Sequence, residues 1–148
     1  MKTNFFIFAL ILITAIGIDS CSKSSTSVAD TTETYKATLN GVSETPGNAS
    51  MATGTATFTY NTVTYILSGT VTFSGVTPTG AHIHKGAVGV AGGVIFSLGS
   101  APFTSPISYT SVALDVTQRA DLMANMYYIN LHSTAFQGGE IRGQLVKQ

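Results

Sequence analysis

Charge is what this sequence has least of. Seven Lys and Arg are matched by seven Asp and Glu over 148 residues. No basic stripe exists to track a phosphate backbone, which excludes nucleic acid as the expected partner, and no acidic tail is present either. Cysteine is scarcer still: Cys21 is the only one, so no intrachain disulfide can staple the fold and a packed apolar core must hold it. No Gly-x-Ser-x-Gly elbow announces a nucleophile. The glycine-rich residues 86–93 lack the Lys-Ser/Thr ending of a phosphate loop and read as a connector. No internal repeat points to a solenoid.

Long apolar runs are also missing, with one exception near the start. Residues 5–18 form a run broken only by Thr14 and Gly17, shorter than the roughly 20 residues a membrane span needs. With Lys2 ahead of it, the run fits the apolar region of an export leader. It ends in Ile18-Asp19-Ser20-Cys21, which resembles a bacterial lipoprotein signal, with Asp19 in place of the usual small or aliphatic residue. That resemblance implies a leader of residues 1–21, lipidation at Cys21 and export to a bacterial cell envelope, with the outer membrane as the expected site. Residues 22–34 are rich in Ser and Thr without periodicity and read as a flexible tether.

What the chain does have is alternation. From Tyr35 onward, apolar residues recur at every second position over short runs separated by turn residues, the pattern of half-buried strands. Residues 35–42 make a first strand. Ala52, Gly54, Ala56, Phe58 and Tyr60 then alternate with threonines. Residues 62–73 read as one strand with Val63, Tyr65, Leu67, Val71 and Phe73 on one face, and Gly69 marks a bulge or a close backbone approach. Residues 94–98 read as a short buried strand. A helix over residues 117–125, capped by Asp115 or Thr117, would pack through Leu122 and Met126. Tyr127 and Tyr128 take opposite faces, so at most one belongs to the core. The expected fold is all-β: an antiparallel β-sandwich or Greek-key barrel with one short helix, occupying residues 35–148.

Polar residues of one parity collect in three segments. His82 and His84, spaced i and i+2, point to the same side of a strand. Asn130 shares a face with His132, and Glu140 shares one with Arg142 and Gln144. Two readings follow. His82, His84 and His132 can form a three-nitrogen site for zinc or copper, with Glu140 or Asn130 orienting an imidazole. Ligand nitrogens would then converge to about 3 to 3.5 Å, as bonds of about 2.0 Å demand. Alternatively, Glu140 and Arg142 pair, and the cluster is a hydrogen-bond network that sets strand register.

Three motifs in order carry a family resemblance: Gly80-Ala81-His82-Ile83-His84, Tyr128-Ile129-Asn130-Leu131-His132-Ser133 and Gly138-Gly139-Glu140-Ile141-Arg142-Gly143-Gln144-Leu145. Together they resemble the chordin-type (CHRD) domain over residues 35–146. The resemblance implies an extracellular β domain: in chordin such domains belong to an antagonist of bone-morphogenetic-protein signalling, and bacterial members are exported. The first motif is also similar to the copper-ligating Gly-x-His-x-His strand of copper/zinc superoxide dismutases, β-barrels with metal on the outer face, and a superoxide-dismutase-like or immunoglobulin-like arrangement is expected. With three histidines and no disulfide cysteines, a full copper–zinc pair is not encoded. The expected role is a non-catalytic extracytoplasmic binding or structural module, held to the membrane by its lipid and facing a protein or carbohydrate ligand. The alternative is a copper- or zinc-binding metalloprotein built on the three histidines, with redox activity open to it.

Overall fold

The computed structural model describes residues 31–148. The expected leader, Cys21 and residues 22–30 of the expected tether lie outside the described residues. The elements, in chain order, are β1 (Thr32–Asn40), β2 (Thr53–Asn61), β3 (Leu67–Ser74), β4 (Gly80–Lys85), β5 (Val94–Ser97), β6 (Ile107–Thr110), α1 (Val116–Met123), β7 (Tyr127–His132), β8 (Ile141–Gln144) and β9 (Val146–Lys147). All nine strands belong to one antiparallel sheet in the order β5-β4-β7-β8-β1-β2-β3-β6, with β9 also paired to β1. The sheet curls until its edges approach: Phe96 of β5 and Tyr109 of β6 bring their rings to 6.1 Å. Among the described residues this is the all-β architecture with a single short helix that the sequence predicts, realised as one curled sheet.

Curling gives the sheet an enclosed face and an outer face, and the two-residue period sorts side chains between them. Tyr35, Ala37 and Leu39 of β1, Ala56, Phe58 and Tyr60 of β2, Ala81 and Ile83 of β4, and Ile129 and Leu131 of β7 all fill the core. Their neighbours Lys36, Thr38, Thr55 and Thr57 face solvent. Gly69 answers to close approach rather than a bulge: the β2–β3 register runs unbroken through it, and a Cβ there would lie 2.6 Å from Phe58 Cα.

Four expectations are corrected. β1 begins at Thr32, opposite Asn61, so residues 32–34 are strand and not tether. Residues 62–66 are a turn: Asn61 Oδ1 accepts from Val63 N (2.9 Å) and Thr64 N (2.8 Å), an Asn side chain outcompeting the ladder. Tyr65 has φ 61° and the strand resumes at Leu67. β5 is half-exposed because it lies at one end of the sheet, and Leu98 just beyond it is the buried residue. α1 spans Val116–Met123, shorter than expected, since Asn125 at φ 54° ends the helical path. Asp115 caps its start, accepting from Gln118 N while the Gln118 side chain accepts from Asp115 N. Leu122 is buried and Met126 only half-buried.

Candidate metal centre

Strand pairing assembles the site. Gly80 of β4 pairs with His132 of β7, His82 with Asn130, and His84 with Tyr128. β7 then pairs Asn130 with Arg142 and Tyr128 with Gln144 of β8. The outer face of β4, β7 and β8 is therefore a polar surface laid over the apolar core. Three loops roof it. Residues 86–93 supply the carbonyls of Gly86, Ala87, Val90 and Gly92, residues 133–140 supply that of Gln137, and residues 41–52 bring Glu44, Thr45 and Asn48.

At the centre, the His82 ring lies 5.0 Å from His132 and 5.6 Å from His84, and His84 lies 5.7 Å from His132. One nitrogen from each ring falls within 4.8 Å of the others. Each ring also carries one unsatisfied nitrogen. His82 Nδ1, His84 Nε2 and His132 Nε2 are all buried and without a hydrogen-bond partner. The opposite nitrogens explain the arrangement for two of them. His84 Nδ1 donates to the Gly92 carbonyl (2.9 Å) and His132 Nδ1 to that of Gln137 (3.0 Å). A carbonyl only accepts, so each Nδ1 carries the proton and each neutral ring presents a bare lone pair at Nε2. Burial lowers the pKa of His82 and of His84, and neighbouring imidazoles lower both further, against the Gly92 bond in the case of His84. The neutral ring is the form that binds metal. Gly80 leaves room for the cluster, since a Cβ there would sit 3.1 Å from His82 Cε1 and 3.6 Å from His132 Cδ2.

The three histidines that strand parity singles out are thus brought together. Their spacing of up to 4.8 Å is wider than the roughly 3 to 3.5 Å of tetrahedral ligands. The expected supporting roles differ. Glu140 orients no imidazole and does not pair with Arg142; its Oε1 accepts from Ser50 Oγ at 2.7 Å. Asn130 Oδ1 has no partner. Backbone carbonyls do the orienting instead. Arg142, 2% exposed, donates to the Ala87 and Val90 carbonyls (3.0 Å each) and to Thr45 Oγ1, with its guanidinium 3.4 Å from the Tyr128 ring centroid. Both tyrosines are buried: Tyr127 belongs to the core, while Tyr128 lies under the roof and stacks on His84 at 5.0 Å and 15°.

Two contributors escape a reading by parity. The first is the loop of residues 86–93, whose one visible signal is its glycines. A Cβ on Gly92 would collide with the Lys85 carbonyl, and one on Gly86 would lie 2.5 Å from Val90 O, so these glycines let the loop lie flat on the polar face. The second is Glu44, a buried acid with an unpartnered Oε1. It lines a cleft of about 220 Å³ with Asn48, Phe136 and Gly139. Burial pushes its carboxyl above the usual range, against the pull of the Thr45 amide and Arg142.

The family model of the CHRD domain matches residues 35–145, from inside β1 to the residue after β8. The chain belongs to the CHRD domain family. The matched span takes in all three histidines and every roof loop of this CHRD domain. CHRD domains occur in extracellular or exported proteins and point to a binding or structural module. No curated protein and no solved structure matches the chain.

Proposed function

We propose that this CHRD domain is an exported metal-binding module that holds copper or zinc on His82, His84 and His132. In the same reading a lipidated Cys21 tethers it to a bacterial envelope, in the outer membrane, where it meets a protein or carbohydrate partner. The observation that carries the metal is a cluster of three imidazoles with one nitrogen of each within 4.8 Å of the others, in which every ring has a buried nitrogen without a partner. Buried polar atoms without partners are uncommon in native proteins, and here three neighbouring rings each carry one. Imidazole suits both metals, and copper(II) binds nitrogen sites more tightly than zinc. Three protein ligands leave a coordination position for water or for a ligand from a partner. Beyond binding, this donor set would support redox cycling of copper or activation of a zinc-bound water at that open position.

The test is metal content of the full chain in detergent, stripped and then offered copper or zinc, measured by elemental mass spectrometry. About one metal per chain is expected, and His84→Ala or His132→Ala abolishes it while the chain stays folded. A folded wild-type chain that takes up neither metal refutes the reading. The histidines would then serve the roof alone, through the carbonyl bonds of His84 and His132.

A further inference from the structure

Residues 86–93 read Gly-Ala-Val-Gly-Val-Ala-Gly-Gly and own no polar side chain. Their valines do little to hold them down, since Val88 is 78% and Val90 54% exposed. The loop is fastened through its backbone: its ends by main-chain bonds, Gly86 N to Met126 O (2.7 Å) and Lys85 N to Gly93 O (2.9 Å), and its body by side chains of the polar face. Gln144 Nε2 donates to the Gly86 carbonyl at 2.9 Å, Arg142 to those of Ala87 and Val90, and His84 Nδ1 to that of Gly92. Tyr128 Oη accepts from Gly92 N at 3.0 Å. With few buried apolar contacts, the loop stays closed only while these polar bonds hold.

We propose that residues 86–93 are a latch on the histidine cluster, so that metal occupancy and closure of this loop form one coupled equilibrium. The proposal rests on the metal reading above. The link is the His84 ring, which bonds the loop through Nδ1 and keeps a buried, unpartnered Nε2 within a ring packed against His82 and His132. Metal on Nε2 pins the ring and makes the Nδ1 proton a better donor to the Gly92 carbonyl. The closed loop in turn fixes the tautomer and orientation that metal requires. The two effects are equal by linkage: whatever factor metal adds to closure, closure adds to metal affinity. Tyr128 is a positioning residue in this scheme. Its hydroxyl places Gly92, its ring lies against His84, and Gly92 accepts no side chain where it passes the Lys85 carbonyl.

The experiment follows amide hydrogen exchange across residues 86–93 by mass spectrometry in the full chain, stripped and zinc-loaded. Zinc slows exchange there by about tenfold or more, beyond any change in β2 and β3. Tyr128→Phe keeps the ring and removes the hydroxyl. It weakens zinc and copper binding by about tenfold, the lower end of what orienting partners of metal ligands contribute. It also alters the copper(II) electron paramagnetic resonance spectrum, which a purely structural role would not move. If metal binds and loop exchange is unchanged, the latch is refuted and the metal reading stands. If no metal binds, both fall. The wild-type comparison decides even if Tyr128→Phe fails to fold.

Discussion

His84 presents two unlike nitrogens, Nδ1 bonded to the Gly92 carbonyl and Nε2 buried without a partner, and its environment can be read through its titration. Burial holds the folded-state pKa values of His82 and His84 below the ordinary 6.5, so the unfolded chain takes up protons first as pH falls. Stability of the metal-free protein is therefore complete above pH 6.5 and lost as pH drops through the depressed folded values. Urea midpoints between pH 7.5 and 5 check this, and His84→Gln should flatten the slope. Glu44 has the opposite sign. Its pKa is raised above 4.5, so its contribution is fully present below that pH and lost as the carboxyl ionises in its buried place. Its orphaned Oε1 and Asn130 Oδ1 lie 2.5 and 2.6 Å from the point a Cβ on Gly139 would occupy. Glu44→Gln replaces an acceptor by an amide donor that can reach Asn130. The variant should be more stable than wild type by about 1 kcal/mol at pH 7, and the gain should vanish below about pH 4.

The elements divide by how local their causes are. The α1 start is legible because a cap is chosen within four residues: Asp115 and Gln118 satisfy each other's backbone amides. Asp115→Ala should cost about 1 kcal/mol in chemical denaturation, with no effect on metal content. Gly69 is legible for a similar reason, as a strand residue with no side chain. The turn at residues 62–66 was hidden because Val63 and Tyr65 continue the apolar alternation of β3 by coincidence. Their exposure follows from Asn61, whose side chain captures the two amides that strand pairing would have used. Tyr65 instead meets Arg119 of α1, whose guanidinium lies 3.9 Å from its ring centroid.

Across the whole molecule, one sheet carries two outer surfaces of opposite kind. Over β4, β7 and β8 the polar residues are roofed and buried, whereas over β1, β2 and β3 they are small, hydroxylic and open to solvent. Thr55 and Thr72 there share a hydrogen bond at 2.7 Å, and Thr57 and Thr70 stand opposite each other in register. Thr57→Lys should change stability by no more than about 0.5 kcal/mol, read from the thermal midpoint. A partner that uses this face would be lost in the same variant, which a binding assay on the folded protein would show.

Side-chain parity is fixed by the covalent geometry of an extended chain. Within the strands, the sequence alone therefore determined which residues share a face, and that His82 and His84 point together. Neighbourhood is not local. Only the tertiary structure decided that His132 stands opposite Gly80, that β5 is an edge, and that three loops close over the polar face. The carbonyls that orient His84 and His132 lie only eight and five residues further along the chain, but β4 and β7 that carry the rings are far apart in sequence. The three rings become neighbours only when those strands pair, because burial and hydrogen-bond partnership belong to the packed molecule rather than to any one strand.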